Sequence, residues 1–214
     1  EKPDLVFGLG GYVSFPLCFT SKLINLPLFI YENNMVLGRA NRYLSFFAKK
    51  ILISNPNIKR ISKKYKSKVN QVGPVINKNI INSSKDERIF DNKYFTILVL
   101  GGSQGAEVFG EIIPTVIKMI ETKGYKININ QQCTDNQKKT ISDFYKKNKI
   151  NNNVFEFDKD IYKLILSSNL AVTRCGASTT AELVYANTPF IAVPLPNSID
   201  NHQYLNAKYY EEKG

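Results

Sequence analysis

The residues best suited to chemistry fall within 173–206, TRCGASTTAELVYANTPFIAVPLPNSIDNHQYLN. One carboxylate, Glu182, sits on a helix led by Gly176, and an apolar strand then gives way to the polar run Asp200-Asn201-His202-Gln203. A helix start with free N–H groups, an acid able to accept two hydroxyl hydrogen bonds and an amide-rich loop, brought to one sheet edge, describe a nucleotide site. Plainer readings stand beside it. Glu182 also reads as a solvated helix residue, and His202 as the polar start of a helix capped by Asp200.

Two glycine turns offer matching backbone chemistry. Gly101-Gly102-Ser103-Gln104-Gly105-Ala106 follows a strong strand signal and precedes a helix. Glycines let a backbone approach a ligand closely, helix-start N–H groups favour phosphate, and Ser103 adds a hydroxyl donor. Neither a GxGxxG fingerprint nor the Lys-Ser/Thr pair of a Walker A loop is present, so a plain strand-to-helix turn is the alternative. Gly8-Leu9-Gly10-Gly11-Tyr12-Val13-Ser14 repeats the arrangement, and a second anion-binding turn suits a reaction between two phosphorylated partners. Asp158-Lys159-Asp160 has metal-binding DxD spacing, but Asp160 directly before IYKLIL also reads as a helix cap.

Strands and helices must position these residues. Short runs rich in Val, Ile and Phe at 5–7, 27–31, 51–54 and 69–72 alternate with helical segments at 13–24 and 39–49, the second placing Tyr43, Phe46 and Phe47 near one face. The polar stretch 77–92 reads as a linker. YFTILVL at 94–100 opens a second series: helix 108–120 with an apolar stripe of Val108, Ile112, Thr115, Val116 and Met119, strand 125–129, helix 136–147 and strand 154–157. Helix 161–166, strand 170–173, helix 178–186, strand 190–193 and helix 202–212 complete it. This alternation predicts an α/β architecture of two Rossmann-like domains, 1–76 and 93–214, with parallel sheets facing a cleft.

Composition narrows the function classes. The chain of 214 residues is 43% hydrophobic and 22% charged, which are globular proportions. No run approaches the roughly 18 apolar residues of a membrane span, and the opening residues lack the basic and apolar regions of a signal peptide. With a strand under way at residue 5 and a helix finishing at 214, the chain reads as an internal piece. Cys18, Cys133 and Cys175 have no CxxC spacing and there is one histidine, which argues against a metal cage or disulfide framework. Net charge is +11; residues 1–92 carry 15 Lys/Arg against 6 Asp/Glu, a surplus of 9. Nucleic acid and anionic membrane both suit such a surface, and a Lys/Asn-rich genome would produce much of it without function.

GLGGYVSFP at 8–16, YENN at 31–34, GGSQGA at 101–106, RCGASTTAEL at 174–183 and PLPNSIDNHQYLNA at 194–207 together resemble the MurG family of bacterial peptidoglycan synthesis. The resemblance implies a GT-B fold, incomplete here in both domains. It implies transfer of GlcNAc, with inversion, from UDP-GlcNAc to the muramoyl C4 hydroxyl of lipid I (undecaprenyl-pyrophosphoryl-MurNAc-pentapeptide), giving lipid II without a metal or cofactor. It places Ser103 and its loop on the UDP phosphates, with Gln104, Ser178 and Thr179 also on the donor side. Glu182 would bind the ribose hydroxyls, the main chain near Asp158 would read uracil, and Asn34, His202 and Gln203 would meet the donor sugar. Gly10, Gly11 and Tyr12 match the loop that meets the acceptor's diphosphate.

The same resemblance implies a peripheral enzyme on the cytoplasmic face of the bacterial inner membrane. The basic first half would hold it on anionic lipid, with Lys22, Leu23 and Ile24 as candidate contacts and no role for nucleic acid. Three departures stand out. The family's His-Glu-Gln-Asn is Tyr31-Glu32-Asn33-Asn34, its Gly-Asn-Pro-x-Arg is Gly73-Pro74-Val75-Ile76 with no arginine, and Phe15 replaces a usual Gly. The family's proposed catalytic histidine would precede Glu1, so the base is unassigned and the piece alone is expected not to turn over. Another GT-B UDP-sugar transferase, a UDP-sugar epimerase, or a non-catalytic nucleotide-sugar-binding partner of a split enzyme would share these features.

Overall fold

The computed structural model describes residues 3–83, 90 and 93–213, apart from the side chains of 103–106. In chain order come β1 (Val6–Gly8), α1 (Ser14–Leu23), β2 (Leu28–Glu32), α2 (Arg39–Leu44), β3 (Lys50–Ile53), β4 (Val69–Gln71) and α3 (Lys78–Ser83). There follow β5 (Phe95–Leu100), α4 (Gly102–Thr122), β6 (Ile127–Gln132), α5 (Asp135–Lys147), β7 (Asn151–Phe155) and α6 (Ile161–Ser167). The last are β8 (Leu170–Thr173), α7 (Ala177–Tyr185), β9 (Phe190–Ala192) and α8 (His202–Glu211). Short 3-10 turns, Lys63–Lys68 and Ile199–Asn201, lead into β4 and α8.

Packing divides the chain into two compact units, Glu1–Val75 with Pro196–Gly214, and Ile76–Leu195. The sequence division placed everything after residue 93 in one domain. The stretch from Pro196 packs instead with the first unit, because α8 is tied there: Asn206 Oδ1 accepts the Met35 N–H at 2.9 Å. The stretch assigned as linker also contributes structure, since α3 places Ile80, fully buried, in the second unit's core.

In the first unit four parallel strands lie in sequence order, β1-β2-β3-β4. Register sets Ile30 of β2 against Ile51 of β3, and both join Leu28, Ile53, and Cys18, Leu44 and Ala48 from the helical segments in one core. Parallel strands release the chain at one common edge, so the turns after β1 and β2 fall together. The 39–49 segment differs from its predicted form. α2 ends at Leu44, and the segment buries Asn41, Leu44, Ser45 and Ala48, while Tyr43 and Phe46 are 72% and 64% exposed. A buried Glu32, which needs hydrogen-bond donors, draws the polar face inward.

The second unit's parallel sheet runs β7-β6-β5-β8-β9. In β5, FTILVL, the two-residue period sends Ile97 and Val99 into a core with Phe109, Ile117 and Ile129, and Leu98 and Leu100 into another with Ile80, Ile165 and Leu183. Burial on both faces explains the continuous apolar run, with each such side chain worth roughly 2 kcal/mol. α4 starts at Gly102, well before 108, and buries Phe109 and Ile117 with Ile113 and Ile120 packed alongside. The predicted stripe is the outer one: Val108, Ile112, Val116 and Met119 are 40–58% exposed. Both stripes have helical spacing, and the sheet takes the bulkier set.

Candidate functional site

Strand order in the second unit reverses beside β5, with β6 and β7 to one side and β8 and β9 to the other. Turns leaving the carboxyl ends of two such neighbouring strands diverge and open a crevice, the usual ligand position in α/β sheets. The Gly101-Gly102 turn follows β5 and the Arg174-Cys175-Gly176 turn follows β8, its partner in the ladder. Gly102 has φ 63°, and its N–H donates to Gln132 Oε1 at 3.2 Å. The turn therefore enters α4 directly, with the helix's first N–H groups at this edge. The side chains of Ser103 and Gln104 lie outside the described residues.

α7 begins after Gly176 and carries the other candidates. Ser178 is exposed and Thr179 half-buried, whereas Thr180 turns inward and donates Oγ1 to the Gly176 carbonyl at 3.0 Å. Glu182 is half-buried. Its burial pushes its pKa above the ordinary glutamate value, opposed by a hydrogen bond accepted from the Asn77 main chain. A partly desolvated carboxylate at a switch point is a candidate ligand contact on physical grounds.

Sequence reasoning missed Arg174. It is 8% exposed, donates Nη1 to the Val193 and Pro194 carbonyls at 3.2 and 3.3 Å, and lies 4.9 Å over the Phe109 ring. Its Nε is buried without a hydrogen-bond partner, so a guanidinium with spare donor capacity stands beside the switch point. A basic residue directly ahead of a glycine-led helix was the available signal. Next to it, burial pushes the Cys175 thiol up to about 11, which removes it as a nucleophile at neutral pH.

The DxD pair forms a local turn. Asp158 Oδ1 accepts the Asp160 N–H at 2.7 Å, and Asp160 Oδ2 accepts from Lys163 Nζ at 3.2 Å. Asp160 holds the N-cap position of α6 without a side-chain cap bond, so the expected capping role falls to this Asx-type turn instead. No cluster of three or more potential metal ligands occurs among the described residues.

The first unit contains a pocket of about 250 Å3 whose lining includes Gly10, Gly11, Tyr12, Asn34, Arg39 and His202. Five residues picked from distant parts of the sequence thus meet in one place, and Gln203 lies outside this lining. Glu32, 6% exposed, organises the floor. Its Oε1 accepts the N–H and Nδ2 of Asn34 at 3.2 and 2.9 Å; its Oε2 accepts the Gly38 N–H at 2.9 Å and Asn41 Nδ2 at 3.0 Å. Asn34 Oδ1 accepts in turn from Asn206 Nδ2 at 3.1 Å.

Asn41 also explains a glycine. A Cβ on Gly10, φ 83°, would come within 3.0 Å of Asn41 Nδ2, and Asn41 Oδ1 is a buried acceptor without a partner beside this turn. Tyr31 sets its hydroxyl 3.0 Å from Asn33 Oδ1 and 3.1 Å from the Gly73 carbonyl, and accepts the Val75 N–H at 3.2 Å. It braces the end of β2 against the turn after β4.

Asp200 does not cap α8. The N-cap is Asn201, in the left-handed region and without a side-chain cap bond, while the Asp200 carboxylate pairs with Arg60 and Arg42. His202 Nδ1 lies 2.7 Å from the Ile199 carbonyl. Partnering from three arginines was invisible in the sequence because Arg39, Arg42 and Arg60 are remote from Asp200 along the chain.

The family model for the Glycosyltransferase family 28 C-terminal domain matches residues 96–214, and that for the Glycosyltransferase family 28 N-terminal domain matches residues 1–53. The UDP-N-acetylglucosamine--N-acetylmuramyl-(pentapeptide) pyrophosphoryl-undecaprenol N-acetylglucosamine transferase of Pelagibacter ubique is 35% identical over the whole chain, which covers 59% of that relative. The protein of the same description from Rickettsia canadensis is 38% identical over 99% of the chain, which covers 60% of it. A crystal structure of Acinetobacter baumannii MurG matches with TM-score 0.74 at 30% identity, over 99% of this chain and 58% of that one. The chain thus spans about 60% of the length of the curated relatives it matches. Its two parallel sheets are of the GT-B type. On the C-terminal match, which covers more than half of its residues, the chain belongs to glycosyltransferase family 28.

Proposed function

We propose that this chain is the larger part of an inverting transferase that moves GlcNAc from UDP-GlcNAc to the muramoyl C4 hydroxyl of lipid I, giving lipid II. The observation that carries the donor half is the pairing of β5 with β8, which brings the Gly101-Gly102 turn and the helix of the half-buried Glu182 to one switch point. The acceptor half is supported by the names of relatives at 35–38% identity. Those names favour neither an epimerase nor an accessory binding protein.

In this reading Glu182 accepts hydrogen bonds from the ribose hydroxyls. Ser103 and its loop serve the UDP phosphates, with Gln104, Ser178 and Thr179 also on the donor side, and the main chain near Asp158 meets uracil. Asn34, His202 and Gln203 act at the sugar, and Gly10, Gly11 and Tyr12 at the acceptor diphosphate. Inverting transfer needs the attacking hydroxyl to lose its proton and the leaving diphosphate to be stabilised as charge develops. The first N–H groups of α4 and the Arg174 guanidinium offer positive potential for the second task. Glu32 is unsuited to the first, since both its oxygens are already occupied by donors.

A peripheral position on the cytoplasmic face of the bacterial inner membrane belongs to the same proposal. Residues 33–85 hold twelve Lys/Arg and no Asp/Glu, and Leu23 and Ile24 beside Lys22 are 69% and 60% exposed, features that favour an anionic leaflet. No helix among the described residues is long and apolar enough to cross a membrane. Vesicle binding indifferent to salt and to anionic lipid would remove this part.

The decisive assay is turnover by the full-length protein with a lipid I analogue and a panel of UDP-sugars. Transfer selective for UDP-GlcNAc is the expected result. Preference for another sugar, or epimerisation without transfer, would sink the reading.

A further inference from the structure

The turn that opens α8 is held in an unusual way. Asp200 and Asn201 are both left-handed, each with φ 56°. Asp and Asn enter this region more readily than other side-chain-bearing residues, yet two in succession persist only where the surroundings hold them. The Asp200 carboxylate does not cap α8, whose Gln203 N–H donates to Ser198 Oγ at 3.4 Å, and turns to the arginines: Arg60 pairs with Oδ1, Arg42 Nη2 is 3.4 Å from Oδ2, and Arg39 Nε is 4.0 Å from it. Only 10% of the Asp200 side chain is exposed. Arg39 and Arg42 lie one turn apart on α2, while Arg60 comes from the segment after β3, so the carboxylate is gripped from two elements.

α8 has a second anchor further along. Asn206, 2% exposed, accepts the Met35 N–H and donates to Asn34 Oδ1. His202 lies between the two anchors and lines the pocket together with Asn34 and Gly10. Had the carboxylate served only the helix, it would have accepted a first-turn N–H. Its commitment to α2 and to the segment after β3 gives it a different task, which is to fix where α8 begins.

We propose that Asp200 is a positioning residue for the donor sugar: its arginine-held carboxylate fixes the left-handed turn that sets His202 beside Asn34 in the pocket. This role rests on the reading of His202 and Asn34 as donor-sugar contacts. Asp200 itself touches no substrate, so its removal should cost the sugar part of the donor and spare the nucleotide part.

The test uses the full-length protein and calorimetric affinities for UDP-GlcNAc and for UDP in four forms: wild type, Asp200→Asn, His202→Ala and the double variant. Asp200→Asn is expected to weaken UDP-GlcNAc about tenfold while UDP stays within about twofold, and to add little once His202 is already alanine, as coupled residues do. Equal weakening of both ligands would mean a general structural role, and an undiminished Asp200→Asn effect in the His202→Ala background would mean that it does not act through His202; either result overturns the proposal. If Asp200→Asn does not fold, Arg60→Ala, which leaves Arg39 and Arg42 on the carboxylate, should show the same selective loss in smaller size. A wild type that binds UDP-GlcNAc but transfers nothing would remove the transferase reading and leave this comparison intact. One that does not bind it overturns both.

Discussion

Glu32 and Glu182 are carboxylates at the carboxyl edges of two parallel sheets, in opposite circumstances. Glu32 is almost wholly buried and accepts four hydrogen bonds from Asn34, Gly38 and Asn41. Glu182 is half-buried, and its desolvation is only partly offset by the Asn77 main chain. A carboxylate whose lone pairs are filled from within serves the fold, and one that is desolvated with capacity left over is suited to a ligand. The first unit's pocket is accordingly a pre-formed polar framework, and the second unit's edge presents the helix-start N–H groups of α4 and one half-buried acceptor.

Mutation should separate the two carboxylates most sharply in stability. Glu32→Ala leaves buried donors without an acceptor and is expected to cost about 3 kcal/mol in denaturant unfolding. Glu182→Ala should cost less than about 1 kcal/mol, and equal losses would break the distinction. Within the pocket, Gly10→Ala combines a left-handed φ with a close approach to Asn41 and is expected to cost about 2 kcal/mol. Gly11→Ala at φ 80°, with nothing within 4 Å of its added Cβ, should cost about half that in the same denaturant unfolding.

Acid gives a smaller effect with opposite signs in the two units. The Arg60 hydrogen bond, aided by the charges of Arg60, Arg42 and Arg39, holds the Asp200 carboxyl below its ordinary value. Its stabilisation is thus present above the ordinary carboxylate pKa and lost as pH falls through the lowered one. The raised pKa of Glu182 works the other way, since stability declines as pH rises from the ordinary glutamate value through the raised one. In pH-dependent melts the gap between wild type and Asp200→Asn should close on acidification, while Glu182→Gln should gain on wild type as pH rises. Smallest of all, Lys163→Ala removes the exposed pair with Asp160 and a contact with the Tyr162 ring and should leave the melting temperature unchanged, as exposed pairs contribute little.

Much of this was legible in the sequence, for physical reasons that also mark the limits. The β5 run FTILVL announces a strand buried on both faces, and its following glycines announce a turn that enters a helix. The helix's first turn was not foreseen, because Gly101, Gly102 and Gly105 have poor intrinsic helix propensity and the helix start is set by the strand-to-helix junction. In the 39–49 segment the burial of Asn41 was not legible, because aromatic Tyr43 and Phe46 outweigh it on any hydrophobicity pattern and only the buried Glu32 reverses that ranking. Glu182, His202 and Asn34 could be picked out by type and motif. Arg174 had only its place ahead of the glycine-led helix as a signal, and the arginines around Asp200 had none, since Arg42 and Arg60 reach it across 140 and more positions of sequence.

The most direct measurement is two-substrate steady-state kinetics on the full-length protein and its Glu182→Ala variant. If Glu182 is the donor's ribose contact, the KM for UDP-GlcNAc should rise about tenfold or more, the size of a lost hydrogen bond to a charged group, with the KM for a lipid I analogue within about twofold of wild type. Equal rises for both substrates, or none for UDP-GlcNAc, would contradict the assignment of the second unit's switch point to the donor.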